Sequence, residues 1–365
     1  MHVIVNRSAL LEVLGAAAGV TAVRTPQEVL RCVRLTTTDG SLMISATDLE
    51  VALRGEVRQV EVAQGGDALV PADKLMSIAR ESADNTLVLE AEEQVCHIRG
   101  EDSHFEIYGQ NPKEFPPVPD LEGAPDVELE VAVLQELIEK TIFAVAKEST
   151  RYAINGVLWE KSGKKLTLVA TDGRRLARAS GPVTAAGAED ARMIVPAKTV
   201  QVLQRILTHA EGKVGVRFSG NQVVVRAGAY VVSSALAEGQ FPDYAEVIPK
   251  DNDKKVELNT EELLSAVRRS ALLTNEQSKG IRLAFGREQL VLSGRAPEQG
   301  AATISMHIDY SCEPVEIGFN PVFLIEALRV AGAPTVTLEM RDANRPGVFR
   351  QGQTFLYVVM PVSLS

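Results

Sequence analysis

The sequence predicts an α+β fold of three similar domains, and three observations carry that prediction: the length, a repeat close to 124 residues, and strand and helix patterns that alternate inside each copy. At 365 residues the chain is too long for one ordinary core, because domains commonly hold roughly 100 to 200 residues. The repeat then decides how many domains there are.

Each copy opens with a strand running into a helix: Val3 and Val5 precede Leu10, Val127 and Leu129 precede Leu134, and Val256 and Leu258 precede Leu263. In the second copy Leu134, Leu137, Ile138, Ile142 and Val145 keep helical period, with Glu136, Glu139, Lys140 and Lys147 between them, so one face is buried and the other wet. In the third, Asn259 followed by Glu262 predicts a capping box ahead of Leu263, Leu264 and Val267. Next comes an alternating strand ending at a turn. Leu42 and Ile44 lead to Ala46-Thr47-Asp48, Leu166 and Leu168 to Ala170-Thr171-Asp172, and Leu290 and Leu292 to Ser293-Gly294-Arg295. The leading leucines stand 124 residues apart at both steps.

A second helix starts with proline in its first turn, at Pro71, Pro196 and Pro321, spaced by 125 residues and each followed by an apolar stripe. Alternating strands fill much of the remainder, at Thr86 to Leu89, Gln94 to Ile98, Phe105 to Tyr108, Val214 to Phe218 and Gln222 to Arg226. Chance amphipathic helices explain one copy but poorly explain three in register. Boundaries are expected in the Pro/Asp/Gly-rich stretches Pro116 to Asp126 and Pro249 to Lys255, giving domains 1–124, 125–252 and 253–365. The pairs Phe115-Pro116 and Phe241-Pro242 close the first two copies.

Hydrophobic residues at 45% and charged residues at 24% are the balance of a soluble globular protein. No window approaches a membrane span, and Met1 to Val5, followed by Asn6 and Arg7, lacks the pattern of a secretion signal. The expected compartment is the cytoplasm. Cys32, Cys96 and Cys312 are odd in number and far apart, so they read as buried small hydrophobes. The five histidines never fall at i,i+3 or i,i+4, and neither a metal site nor a cofactor is expected. The net charge of −10 argues against nucleic acid at first, because phosphate binding normally rests on clustered Lys and Arg.

Three such domains, with Ala170-Thr171-Asp172-Gly173-Arg174-Arg175-Leu176-Ala177, Phe241-Pro242-Asp243-Tyr244 and the ending Tyr357-Val358-Val359-Met360-Pro361, resemble the bacterial DNA polymerase III beta subunit family, the beta sliding clamps, over essentially the entire chain. The resemblance implies three DNA-clamp domains per chain. Two protomers would close head to tail into a ring of six domains, with helices lining the hole and antiparallel sheets outside. It also implies a non-catalytic processivity factor that encircles double-stranded DNA without sequence specificity. A ring needs only a mildly basic lining, which meets the charge objection.

On the residues themselves, the segment from Pro196 to Ala210 has no Asp or Glu but carries Lys198, Arg205 and His209. Arg24, Lys74, Arg80, Lys147, Arg151, Arg268 and Arg269 are further basic residues on or beside the expected inner helices, diluted by Glu12, Glu81, Glu136, Glu139 and Glu326. For any one of them a solvated helix face is the alternative. The resemblance adds the turn at Ser149-Thr150-Arg151-Tyr152, so the expected DNA contacts are Arg24, Lys74, Arg80, Lys147, Arg151, Tyr152, Lys198 and Arg205.

The resemblance further implies a cleft that takes short apolar peptides from partners: the replicative polymerase catalytic subunit, the clamp loader, repair polymerases, ligase and mismatch-repair proteins. No membrane partner is expected. Its matching positions are Ile154, Thr171, Gly173, Arg174, Arg175, Leu176, Pro242, Val247, Asn320, Val358, Val359, Met360, Pro361 and Val362. These are mostly apolar or small, the chemistry of anchor-in-pocket recognition. The alternative for Val358 to Met360 is an ordinary terminal strand. Arg174 stands where the family often has histidine and Glu246 where it often has a basic residue, which predicts an altered peptide preference. Asn344-Arg345-Pro346-Gly347 aligns loosely with the cleft edge. The homodimer seam is matched by Phe105 and Ile107 on one side and Leu272 and Leu273 on the other, unless all four are core residues.

Two other function classes compete. An enzyme would use Asp48, Asp172 and Arg175 for acid–base work, but no GxSxG, Walker, HExxH or GxGxxG motif accompanies them. Asp48 and Asp172 also fall at the same repeat position, which suits a turn. A repeat scaffold that binds partners but no DNA would share every fold feature and differ only in its lining charges.

Overall fold

The repeat pattern folds as written, but the strands of the second copy find partners on both sides. The computed structural model describes residues 1–121, 123–147, 155–187, 189–274, 280–297 and 299–363. Among them are seven α-helices: Arg7–Ala18 (α1), Ala72–Glu81 (α2), Val131–Ile142 (α3), Ala197–Leu207 (α4), Tyr244–Val247 (α5), Thr260–Ala271 (α6) and Pro321–Val330 (α7). Asparagines Asn6, Asn259 and Asn320 cap α1, α6 and α7, each side-chain oxygen accepting a backbone N–H of the first turn. The expected cap at Asn259 accepts from Glu262 N at 3.0 Å. Pro321 occupies the first turn of α7, whereas Pro71 and Pro196 sit one residue ahead of their helices. They instead end strands, in register with Cys32 and Gly156, since proline needs no ladder N–H there.

All strand pairs among the described residues are antiparallel, and the chain divides into two compact units. The first holds Met1–Gln135, Val183–Glu189 and Lys198–Leu236, with a five-stranded and a nine-stranded sheet. The nine-stranded sheet is continuous because strand Tyr230–Ala235 pairs with Val51–Val57. The second unit holds Glu136–Pro182, Asp190–Ala197 and Ala237–Ser365. Its eight-stranded sheet is continuous because Arg175–Pro182 pairs with Phe355–Val359, and a four-stranded sheet accompanies it. Within each unit a helix pair packs together, α1 with α2 and α6 with α7. Of the apolar residues read from sequence, Leu10 in α1 and Leu263 and Val267 in α6 are buried and Leu264 is half-buried, while Val13 and Leu14 in α1 and Ala266 in α6 complete the buried faces.

The Asp at the repeated turn position makes the same turn twice. Asp48 Oδ1 accepts from Glu50 N and Val51 N at 3.0 and 2.8 Å, and Asp172 Oδ1 accepts from Arg174 N and Arg175 N at 3.0 and 3.1 Å. Thr47 and Thr171 each donate a hydroxyl across the turn, to Val51 O and Arg175 O. The turn needs a left-handed residue after the Asp. The second copy supplies Gly173 at φ +82°, while the first holds Leu49 at φ +79° with its side chain exposed. Leu49→Gly is therefore expected to stabilise the protein by about 0.5 to 1 kcal/mol, the strain relieved less the entropy glycine adds to the unfolded chain. Urea unfolding followed by circular dichroism checks this, and an unchanged or lower midpoint would show that the turn carries no such strain.

Of the cysteines, Cys32 and Cys96 are buried, and burial pushes both thiols up to about 11. Cys312 departs from expectation in being only half-buried, because it stands in the segment between strands Gly300–His307 and Val315–Phe319. No helix among the described residues is long and apolar enough to cross a membrane.

Candidate functional site

One apolar cavity of about 330 Å³ lies in the second unit, walled by three separate stretches of sequence. The turn Thr171–Leu176 forms one wall, Gln240, Pro242, Tyr244 and Val247 a second, and Val358 with Met360 a third. Local chemistry places each wall. The Asp172 turn fixes the first, with Gly173 N donating to Thr171 Oγ1 at 3.1 Å. Asp243 caps α5, accepting from Ala245 N at 3.1 Å, while Phe241 is buried among Leu158, Val169, Leu356 and Val358 and Ile248 packs against the same cluster, so the Pro242–Val247 stretch is pinned at both ends. Met360 N donates to Arg174 O at 2.9 Å, which carries the Phe355–Val359 pairing one residue past the strand and sets the Met360 side chain at the rim.

Beneath the turn, Arg175 is a buried hub. Its Nε donates to Asp172 Oδ2 at 3.0 Å, its Nη2 to Phe143 O at 2.7 Å and its Nη1 to Glu326. Its guanidinium also stacks over the rings of Phe323 and Phe143, with centroids at 4.3 and 5.5 Å. Burial alone would lower the Arg175 pKa, but the Glu326 hydrogen bond and the surrounding charges raise it, so the cation is fixed. Burial, the hydrogen bond to Glu160 and its charge push the Tyr244 hydroxyl up to about 12, which keeps it a donor.

Nine of the fourteen cleft candidates line this cavity: Thr171, Gly173, Arg174, Arg175, Leu176, Pro242, Val247, Val358 and Met360. Asn320 instead caps α7, Val359 is buried in the core, and Pro361 and Val362 are half-buried just beyond, Val362 N donating to Gly318 O. Ile154 lies outside the described residues, as do Arg151 and Tyr152. Val358 is both a core strand residue and a cleft wall. The sequence reading missed Gln240 and Tyr244, although Tyr244 belongs to the quoted Phe-Pro-Asp-Tyr motif and Gln240 precedes it. Val247 and Met360 are 47% and 42% exposed, so the cavity presents apolar side chains that a partner can cover.

The expected DNA contacts differ in availability. Arg24, Lys74, Arg80 and Lys147 are exposed. Arg205, also exposed, donates to Gly15 O at 3.0 Å. Lys198 is tied down, its ammonium paired with Asp48 and donating to Val20 O at 3.2 Å, so much of its charge is spent inside the first unit. Of the seam candidates, Phe105 is 41% exposed on the edge strand His104–Tyr108 and Leu272 is 75% exposed at the end of α6, while Ile107 and Leu273 are half-buried. Phe105 and Leu272 are thus not core residues. The acid–base constellation does not form an open site: Asp48 and Asp172 are held in their turns, and Arg175 is buried with all three nitrogens donating within the protein. No cluster of three or more metal-ligating side chains occurs among the described residues.

Comparison with known proteins covers the full length. Family models for the DNA polymerase III beta subunit match in order: the N-terminal domain at residues 1–119, the central domain at 128–243 and the C-terminal domain at 245–363. The beta sliding clamp of Pseudomonas putida is 36% identical over 367 residues, covering 100% of both chains. The crystal structure of the DNA polymerase III subunit beta from Pseudomonas aeruginosa superposes with a TM-score of 0.89 at 34% identity, again over 100% of both chains. A sliding clamp from that organism bound to griselimycin superposes at 0.90, with the same identity and coverage.

Proposed function

We propose that this chain, which belongs to the DNA polymerase III beta subunit family, is a replicative sliding clamp, a non-catalytic ring of two protomers that encircles duplex DNA and tethers the polymerase to it. The observation that carries this reading is the succession of all three family domains along one chain, in order and at full length. In this reading the domains are 1–124, 125–252 and 253–365, the compartment is the cytoplasm, and Phe105 and Ile107 meet Leu272 and Leu273 of the partner protomer. A seam resting on few apolar anchors opens without unfolding either domain.

The decisive experiment loads the protein onto nicked circular DNA with a matching loader and polymerase and then linearises half of the sample. Loss on linearisation alone establishes topological retention. Equal retention on both forms makes the protein an ordinary DNA binder, and no retention on either makes it a DNA-free scaffold.

Weak phosphate contact suits a ring that must slide, since base readout would stall it. The exposed cations are the better contacts. Lys74→Glu with Arg80→Glu is expected to weaken DNA binding and to flatten its dependence on log salt by about 0.9 per lost contact, while Lys198→Ala changes little because Asp48 already neutralises it. Equal losses in the two proteins would refute this division.

The apolar cleft is the tether. It takes short peptides with apolar anchors from the replicative polymerase, clamp loader, repair polymerases, ligase and mismatch-repair proteins, one at a time. Glu246, exposed on α5 beside Val247, biases which flanking residues are accepted. Affinities of a peptide panel are expected to change rank between the native protein and Glu246→Arg; an unchanged order would remove Glu246 from the specificity.

A further inference from the structure

A second cavity, polar and of about 470 Å³, adjoins the apolar cleft in the same unit and shares Tyr244 with it. Its floor is the sheet face that the Phe241–Ile248 segment covers. Arg178 stands in one cross-strand row with Leu158, Val169 and Leu356, the residues that pack under that segment. Four cations line the cavity, Lys161, Lys165, Arg178 and Arg192, against two carboxylates, Glu160 and Asp190. Both carboxylates are engaged. Glu160 accepts from the Tyr244 hydroxyl at 2.5 Å and pairs with Arg192 at 3.2 Å, and Asp190 accepts from Ser162 Oγ and Gly163 N at 2.9 and 3.0 Å.

Arg178 has no such partner. It makes no side-chain hydrogen bond or ion pair among the described residues, and its Nε is buried. The internal repeat makes this a departure. Arg54, 124 residues earlier, lines a related cavity of about 300 Å³ beside Phe115–Val118, and there Asp120 pairs with it at 3.2 Å. Asp120 follows Phe115 by five residues; the residue five beyond Phe241 is Glu246, which is exposed and forms no ion pair with Arg178. The first copy therefore fills this place with its own carboxylate and the second leaves it to an incoming one.

We infer that the polar cavity is a subsite for an acidic side chain flanking the apolar anchors of a docked partner peptide, received by Arg178, with Lys165 adding positive charge to the same cavity. The inference rests on the reading of the apolar cleft as a peptide site. Continuity through Tyr244 lets one extended peptide span both cavities, at about 3.3 Å per residue. A nucleic acid is disfavoured at this cavity, because Glu160 and Asp190 in its own lining repel a polyanion, whereas the unpaired Arg178 guanidinium suits a single carboxylate.

The test measures fluorescence anisotropy of labelled peptides on the full chain. The peptides share apolar anchors and carry a Gln pair, or a Glu pair on one side or on the other. One acidic peptide is expected to bind about fivefold tighter than the neutral one at low salt, with the gain fading as salt rises. Arg178→Gln and, independently, the exposed Lys165→Glu are expected to remove that gain and leave the neutral peptide unchanged. Thermal melts verify folding, and Lys165→Glu suffices if Arg178→Gln does not fold. No gain from either acidic peptide, or a gain kept in Lys165→Glu and every folded Arg178 variant, overturns the inference. Failure of all peptides to bind, the neutral one included, overturns instead the cleft reading beneath it.

Discussion

Arg175→Ala is expected to destabilise the second unit by roughly 3 to 5 kcal/mol, the range for removing one partner from a buried charge network. The substitution strips Asp172 and Glu326 of their shared cation, leaves Phe143 O without its donor and removes the guanidinium stacked on Phe323 and Phe143. Trp159, the sole tryptophan, is fully buried in this unit, so urea unfolding followed by its fluorescence reads the loss directly. Arg175→Lys is expected to recover less than half, because an ammonium cannot serve three acceptors in a plane and stack at once. A loss under about 1 kcal/mol for the alanine variant would show that the network is replaceable. Peptide affinity should fall with stability, since the Thr171–Leu176 wall sits on this hub.

Val247→Asp and Met360→Asp are expected to behave oppositely, sparing the fold and removing the tether. Both side chains are near half exposed in the free protein, so a polar replacement costs little until a partner covers it. Once covered, the carboxylate is desolvated against an apolar anchor. Peptide affinity should then fall roughly a hundredfold, or about 2.7 kcal/mol, as for a central hot spot. Native peptide affinity in both variants would mean that docking occurs elsewhere.

Much of the fold was legible because its signals are local. Helical period over Leu263 to Val267 and strand alternation at Leu42 and Ile44 are set by neighbours two to four residues away. Asp48 and Asp172 were readable as turn residues because an Asx turn is closed by the next two or three backbone amides. The cleft was legible through three short motifs, which name its walls without giving their distances. Asn320 shows the limit: its motif position matched the cleft, while in the structure its side-chain oxygen caps α7 and the residue does not line the apolar cavity.

By itself the sequence determined the number of repeats, their helices and turns, and the stretches that carry the apolar walls, since each depends on residues close along the chain. Only the tertiary structure decided which strands meet. The second repeat gives Tyr230–Ala235 to a strand of the first and Arg175–Pro182 to a strand of the third, a choice of ladder partners that no local period encodes. It alone brought Glu326 to Arg175 across 151 residues and left Arg178 without the carboxylate its counterpart holds. The physical reason is that a buried charge takes its partner from whatever the packed elements bring within reach, and that is fixed by three-dimensional register rather than by spacing along the chain.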